Sequence, residues 1–261
     1  MASIVLKYQS VELGFNTEVN IIVPGAPFKA MMEKDIGKAY SVKPLRVVYL
    51  LHGAFSDGSE WVRQCGLERY VNDYNFMLVM PTVNNSFYHD LEYGPKYFKY
   101  VTEELPAFLS SLFNISTKRE DTFVCGLSMG GFGAMKCALN YPERYAGAAS
   151  MSGALDMVTM GKRNKPAGMS CEGAFLTIDD IKDSNNDLMM LLEKHAKAKT
   201  DLPKLHVCVG IEDFIYDLSI LFKDKCEVLN IPLDYYEEAG GHEWDFWDRN
   251  VKRILEMFSK M

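Results

Sequence analysis

The strongest structural signal in this chain of 261 residues is the sequence DTFVCGLSMGG, residues 121–131. Residues 121–126 predict a strand, and residues 129–140 have the spacing of a helix. A serine flanked by glycines between a strand and a helix fits G-x-S-x-G, the pattern of a nucleophile elbow. Such a turn needs glycines because the serine backbone is strained and the neighbouring strand and helix lie close to it. We therefore expect Ser128 to present its hydroxyl above the edge of a sheet, beside the positive end of the helix.

Strand-like and helix-like segments alternate along the rest of the chain. Strands are predicted at residues 45–51, 76–81, 145–151, 204–209 and 233–238, and the first two of these should be buried. Helices are predicted at residues 59–74, 97–113, 214–229 and 243–258. Two more strands, residues 3–10 and 17–23, are separated by turn residues and should pair antiparallel at one edge. This alternation predicts an α/β fold, with a mostly parallel central sheet and helices on both faces, in a single domain that spans residues 1–261.

The composition excludes several classes of protein. Hydrophobic residues make up 48% and charged residues 24% of the chain, which is typical of a globular domain. The net charge is −7 and no basic tract is present, so we expect neither a nucleic-acid partner nor binding to a membrane. The N-terminus lacks the features of a signal peptide, and no apolar run approaches the ~20 residues of a spanning helix. The expected location is the cytoplasm, and none of the six cysteines lies in a C-x-x-C pair. Cys125 and Cys208 lie in short apolar runs and are predicted to be buried thiols.

A serine hydroxyl needs a general base to act as a nucleophile near neutral pH. Of the five histidines, His242 lies in the sequence AGGHEW, after the last predicted strand and before the last predicted helix. Loops at the carboxyl ends of strands carry the functional residues of open α/β sheets, so His242 is the predicted base. His206 within a strand and His195 within a helix are predicted to be structural. His89 lies on the loop 84–94 and is expected at the surface, with a place in the lining of a site as the alternative.

The base needs a carboxylate that orients it. Asp213 lies just beyond the predicted strand 204–209, on the loop before a helix, and is the predicted partner of His242. Glu212 is one position away, and Asp217 lies one turn into the helix, where we expect it to face solvent. The order nucleophile, acid, histidine is that of the α/β-hydrolase fold, which the sequence therefore predicts.

Attack on a carbonyl also creates an oxyanion, which needs fixed hydrogen-bond donors. The backbone N–H of Met129, the residue after the nucleophile, is one predicted donor. The sequence LHGAF, residues 51–55, follows the third strand, where the second donor is usually found, and we assign that role to the N–H of Ala54. His52 is expected to brace this loop by hydrogen bonds.

Several aromatic residues lie on loops at the predicted active edge and could wall a pocket for an acyl group, an aromatic one included. The alternative is that they pack against the domain. These candidate substrate contacts are Phe55, Phe87, Tyr88 and Phe214.

Residues 154–200 interrupt the alternation of strands and helices. They are rich in Gly, Asn and Lys and contain one amphipathic segment, residues 187–199. An insertion at this strand end should project over the edge where Ser128 stands, so we predict a small cap that forms a lid or a pocket wall. The alternative is a helix that only packs on the domain.

Taken together, four motifs resemble the esterase D or putative-esterase family, and within it the bacterial tributyrin esterases. The motifs are His52-Gly53-Ala54, Gly126-Leu127-Ser128-Met129-Gly130-Gly131, Gly210-Ile211-Glu212-Asp213-Phe214 and Gly241-His242-Glu243-Trp244. The resemblance implies a serine carboxylesterase that acts on short acyl esters, acetylated sugars and feruloyl esters among them, without a metal or other cofactor, and that can form homo-oligomers. Related S-formylglutathione hydrolases tend to carry Thr-Cys after His-Gly-Leu, where this chain has Phe55-Ser56.

The expected function is therefore hydrolysis of a small-molecule ester through an acyl-enzyme on Ser128. Two alternatives use the same residues: acyl transfer to an alcohol or sugar, and thioester hydrolysis of the S-formylglutathione hydrolase type. A third alternative is a catalytically silent binding module, although such a module should have lost part of the set Ser128, Asp213 and His242.

Overall fold

Eight strands form one sheet in this computed structural model, which describes residues 1–26, 28–39, 43–163 and 180–261. The strands are β1 (Ala2–Gln9), β2 (Asn16–Val23), β3 (Arg46–Leu51), β4 (Phe76–Pro81), β5 (Thr122–Leu127), β6 (Gly147–Met151), β7 (Lys204–Gly210) and β8 (Leu233–Glu238). Their order in the sheet is β1-β2-β4-β3-β5-β6-β7-β8. Strands β3 to β8 pair in parallel, whereas β2 pairs antiparallel with both β1 and β4. The predicted α/β fold is confirmed, including the antiparallel pair at one edge.

Helices cover both faces of the sheet. They are α1 (Phe28–Glu33), α2 (Ile36–Ala39), α3 (Ser59–Gln64), α4 (Leu67–Tyr74), α5 (Tyr97–Lys99), α6 (Leu105–Leu112), α7 (Met129–Asn140), α8 (Met157–Lys162), α9 (Leu188–Ala198), α10 (Tyr216–Leu229) and α11 (Trp244–Ser259). Helices α5, α6, α7, α9 and α10 contribute to the apolar core on one face, and α3, α4 and α11 to the core on the other. None of the helices in the described ranges has the length and apolar character needed to span a lipid bilayer.

The central strand β3 shows why buried strands appear in the sequence as nearly continuous apolar runs. Successive side chains of a strand point to opposite faces. Val47, Tyr49 and Leu51 therefore enter one core, while Val48 and Leu50 enter the other. Because helices cover both faces, the five positions from Val47 to Leu51 are all buried and apolar, whereas Arg46 at the start of the strand is half-buried.

Two predicted helices are interrupted in the structure, the second near Pro106, where the proline in the sequence predicts a kink or the first turn of a second segment. The segment 59–74 divides into α3 and α4 at Cys65 and Gly66, where the N–H of Gly66 donates to Asp248 Oδ1 at 3.0 Å. Between α5 and α6 lies a π-helical turn, Tyr100–Glu104. Pro106 has no N–H to donate to the carbonyl of Thr102 one turn earlier, and that oxygen accepts from Arg144 Nη1 at 2.8 Å.

The predicted cap segment is described in part. Residues 164–179 lie outside the described residues. The predicted helix 187–199 is α9, which begins where the Asp187 side chain accepts from the N–H of Met190 at 3.0 Å. Helix α9 packs against α7 and α10, and His195 Nε2 lies 2.6 Å from the carbonyl oxygen of Leu139 at the end of α7. This contact ties α9 to the body of the domain.

One lysine lies inside the apolar core. Lys136 on α7 is fully buried, its Nζ donates to the carbonyl of Tyr88 at 2.6 Å, and the Phe98 ring centre is 4.2 Å away. Burial lowers the pKa of Lys136 to about 7, although the carboxylate of Asp90 opposes the shift. The folded protein therefore binds fewer protons at this side chain than the unfolded chain does in mildly alkaline solution.

Lys136→Met should change how stability depends on pH. The pKa of Lys136 falls from 10.5 to about 7 on folding. The wild-type protein should therefore lose stability as the pH decreases from about 10 to about 7, because over this range the unfolded chain takes up a proton that the folded chain does not. The methionine variant lacks this group, so its melting temperature relative to wild type should rise over the same range and level off below about pH 6. Thermal unfolding of both proteins measures this, and a difference that is independent of pH would contradict it.

Candidate active site

Ser128 stands on a strained turn between β5 and α7. Its backbone has φ 53° and ψ −119°, a region that residues with a side chain rarely adopt. The turn closes only because its flanking positions lack side chains: a Cβ at Gly126 would lie 2.2 Å from the carbonyl oxygen of Gly130. A Cβ at Gly130 would lie 2.1 Å from the carbonyl oxygen of Leu51 on β3. The predicted elbow geometry is thus present, with the serine at the carboxyl edge of the sheet.

The structure brings Ser128, His242 and Asp213 together from the ends of three parallel strands. Ser128 follows β5, Asp213 follows β7 and His242 follows β8. His242 Nε2 lies 2.9 Å from Ser128 Oγ. On the other side of the ring, His242 Nδ1 lies 2.9 Å and 3.0 Å from the two carboxylate oxygens of Asp213.

The hydrogen-bond partners assign the tautomer of His242. The Asp213 side chain has no exposed surface, and its Oδ1 also accepts from the N–H of Ile215 at 3.0 Å. An ionised carboxylate only accepts, so the proton of the neutral imidazole lies on Nδ1. The lone pair of Nε2 therefore faces the Ser128 hydroxyl, which is the arrangement a general base requires.

The two alternative carboxylates lie elsewhere. The Asp217 side chain is 58% exposed and pairs with Arg163. Glu212 Oε2 accepts from the N–H of Gly240 at 2.7 Å and so supports the backbone of the loop that carries His242. Of the three acidic side chains weighed from the sequence, Asp213 is the one that contacts His242.

Two aromatic rings hold the imidazole of His242. The Phe214 ring centre lies 4.6 Å from that of His242, and Trp247 packs against His242 at 5.0 Å with the ring planes at 88°. Trp247 is fixed in turn, because its Nε1 donates to Ser152 Oγ at 3.1 Å. Trp247 therefore restrains the histidine directly, a role that its place in the apolar pattern of α11 did not indicate.

The loop His52–Phe55, called the HGAF loop below, lies against Ser128. A Cβ at Gly53 would be 3.4 Å from the Cβ of Ser128. The N–H of Phe55 donates to Asn85 Oδ1 at 2.6 Å, which leaves the N–H of Ala54 as the candidate donor on this loop for an incoming oxyanion. The N–H of Met129 is the first of α7, and the first N–H groups of a helix have no partner within it.

His52 braces the HGAF loop from inside the domain, as the sequence predicts. His52 is 1% exposed, its Nε2 accepts from the N–H of Val83 at 3.0 Å, and its Nδ1 lies 2.7 Å from the carbonyl oxygen of Gly53. With Nε2 as an acceptor, Nδ1 carries the proton and donates to Gly53. Burial lowers the pKa of His52, which favours this neutral form.

The four aromatic residues predicted to contact substrate divide into two pairs. Phe55 is 72% exposed and Phe214 is 54% exposed, and both lie at the active edge. Tyr88 has no exposed surface and donates its hydroxyl to the carbonyl of His52 at 2.9 Å, so the prediction that Tyr88 lines the pocket is wrong. Phe87 is 7% exposed and packs against Phe132 in the core, so the prediction that Phe87 contacts the substrate is also wrong. A loop position alone did not distinguish these buried rings from the exposed ones.

Comparisons with known proteins place the chain among esterases. The sequence model of the putative esterase family matches residues 38–257. An acetyl esterase of Caldicellulosiruptor saccharolyticus is 30% identical over 272 residues, which cover 100% of this chain and 99% of that protein.

Two solved structures from Staphylococcus aureus are also similar. FphF, a fluorophosphonate-binding serine hydrolase, has a TM-score of 0.86 and 30% identity, with 99% of this chain and 98% of that chain covered. The S-formylglutathione hydrolase FrmB has a TM-score of 0.85 and 29% identity, with the same coverage of 99% and 98%. This chain therefore belongs to the putative esterase family, and it is a serine esterase with the α/β-hydrolase fold.

Proposed function

We propose that this protein hydrolyses short-chain acyl esters, with Ser128 as nucleophile, His242 as general base and acid, and Asp213 as the carboxylate that orients His242. The observation that carries the proposal is the continuous line of contacts from Asp213 through His242 to Ser128, with both hydrogen-bonding distances near 2.9 Å.

In the first half of the reaction, His242 Nε2 takes the hydroxyl proton of Ser128 as Oγ attacks the ester carbonyl. The oxyanion that forms accepts hydrogen bonds from the N–H groups of Met129 and Ala54. The buried Asp213 carboxylate stabilises the imidazolium of His242 while it exists. His242 then gives the proton to the departing alcohol, and the acyl group stays on Ser128.

In the second half, water replaces the alcohol and the same groups act in reverse. His242 takes a proton from the water as its oxygen attacks the acyl-enzyme, and it returns that proton to Ser128 Oγ when the acid leaves. Acyl transfer would differ only in the acceptor, because an alcohol or sugar hydroxyl would take the place of water.

The substrate class rests on the relatives and on the exposed surface beside Ser128. The acetyl esterase of C. saccharolyticus, at 30% identity over the whole chain, supports a small acyl group. Phe55 and Phe214 are large, exposed and at the active edge, and we assign them as the apolar contacts of the substrate. When an ester covers these exposed rings, apolar surface is removed from water, and this burial favours binding of the substrate.

We also propose that residues 154–200 form a small cap beside the site. The N–H of Ala154, the first residue of this segment, lies 3.4 Å from the carbonyl oxygen of Ser128, and α8 follows directly. Arg163 at the end of α8 pairs with Asp217 on α10, one turn beyond Asp213 and Phe214. These contacts support a pocket wall on this side of Ser128.

Ser128→Ala should abolish both ester turnover and labelling by a fluorophosphonate probe while the melting temperature stays close to that of wild type. The residual rate should exceed the uncatalysed rate by no more than about 10³–10⁴-fold, from binding and the oxyanion donors alone. Ser110→Ala on the exposed face of α6 is the matched control and should behave as wild type. Normal labelling of the Ser128→Ala protein would show that another residue is the nucleophile.

Asp213→Asn should lower kcat by on the order of 10⁴, because an amide no longer fixes the Nδ1–H tautomer of His242. Asp217→Asn is the control for loss of a nearby carboxylate. This variant should lower kcat by less than about tenfold. Asp217 forms a partly exposed ion pair with Arg163, and such pairs contribute little. Steady-state kinetics with p-nitrophenyl acetate ranks the two variants, and the opposite ranking would reject Asp213 as the orienting group.

A panel of p-nitrophenyl acetate, butyrate and octanoate, with S-formylglutathione in parallel, tests the substrate class. We expect kcat/KM to be highest for acetate or butyrate and to fall for octanoate. S-formylglutathione is included because FrmB shares 29% identity with this chain. A kcat/KM for the thioester that exceeds every value in the ester panel would replace the carboxylesterase assignment with a thioesterase.

A further inference from the structure

We propose that Lys136 is a positioning residue for the esterase reaction, and that through Tyr88 and His52 it fixes the HGAF loop against Ser128. The inference rests on the proposed function, in which the N–H of Ala54 on this loop binds the oxyanion. Lys136 lies two turns along α7 from the nucleophile and contacts neither the substrate nor the reacting atoms.

The first contact runs from α7 to the loop that follows β4. Lys136 Nζ donates to the carbonyl of Tyr88 at 2.6 Å, and both residues are fully buried. The Tyr88 ring lies so close to α7 that a Cβ at Gly133 would be 2.5 Å from it. Helix α7 therefore holds Tyr88 both by its backbone carbonyl and by its ring.

The second contact runs from Tyr88 to the HGAF loop. Tyr88 Oη donates to the carbonyl of His52 at 2.9 Å. The same loop after β4 makes two more hydrogen bonds to the HGAF loop: the N–H of Val83 donates to His52 Nε2 at 3.0 Å, and Asn85 Oδ1 accepts from Phe55 at 2.6 Å. Of these three contacts with the HGAF loop, the one made by Tyr88 is also linked through Lys136 to α7, the helix that follows Ser128.

A lysine in this place needs an explanation beyond packing. Burying an amine in an apolar core is unfavourable, and an apolar side chain of similar length would fill the volume without that penalty. The neighbours Met135 and Cys137 on α7 are apolar and fully buried. What Lys136 adds is a hydrogen bond that joins the helix carrying Ser128 to the loop bracing the HGAF loop.

The expected consequence is a defect in the transition state. Oxyanion donors act by being fixed where charge develops, and a displacement of the donor of about 1 Å can lower the rate by about 10²-fold. The ground-state ester makes little use of these donors. Loss of Lys136 should therefore lower kcat and leave KM nearly unchanged.

The test measures kcat and KM for p-nitrophenyl acetate in Lys136→Met, in Tyr88→Phe and in the double variant. Each single variant should lower kcat by about 10- to 100-fold with KM within about twofold of wild type. Both changes break the same chain of contacts. The kcat of the double variant should therefore be at most about threefold lower than that of the slower single variant. Met135→Leu, a buried neighbour on the same helix, is the packing control and should keep kcat within about twofold of wild type.

The outcomes separate this inference from the proposed function. A wild-type protein without ester turnover would overturn the proposed function. An active wild type, with a folded Lys136→Met variant of unchanged kcat, would overturn only the role of Lys136. Multiplicative effects in the double variant, or a rise in KM alone, would also overturn it. If Lys136→Met fails to fold, Tyr88→Phe decides, because it keeps the ring and the backbone carbonyl and removes only the hydroxyl contact to His52.

Discussion

The left-handed backbone of Ser128 is the constraint on which the other features of the site depend. A positive φ at a serine is unfavourable by on the order of 1–3 kcal/mol and persists only where the surroundings over-determine it. Here the N–H of Ser128 donates to the carbonyl of Met151 on β6, and its carbonyl accepts from the N–H of Phe132 on α7. Strand and helix thereby hold the turn from both sides. The side chain is left at the carboxyl edge, where β7 and β8 also end.

The parallel sheet also brings the orienting carboxylate and the general base to that edge. Residues that follow neighbouring parallel strands meet at one end of the sheet, so Asp213 after β7 and His242 after β8 converge although 29 positions separate them in the chain. Burial of Asp213 keeps its carboxylate away from water and strengthens its interaction with His242. The hydrogen bond from Ile215 to the same carboxylate compensates for part of the lost hydration.

The sequence was sufficient to predict those parts of the molecule whose signals are local. The elbow around Ser128, the apolar strands and the loop positions of Asp213 and His242 follow from glycine spacing, hydrophobic periodicity and chain order. Tyr88 shows where such reasoning fails. An aromatic residue on a loop gives the same pattern whether its ring faces a substrate or the core, and the contact of Tyr88 with His52 depends on how two distant loops pack. The burial of Lys136 is likewise a tertiary property that no local pattern carries.

The role of Ser128 is tested most sharply by identifying the residue that carries the acyl group during turnover. The wild-type protein would be mixed with p-nitrophenyl acetate, whose good leaving group favours accumulation of the acyl-enzyme, and quenched with acid within the first turnover. Peptide mass spectrometry would then locate the acetyl group. We expect a single acetylated site at Ser128 that disappears as the ester is consumed, whereas steady turnover with the acetyl group on another residue would exclude Ser128 as the nucleophile.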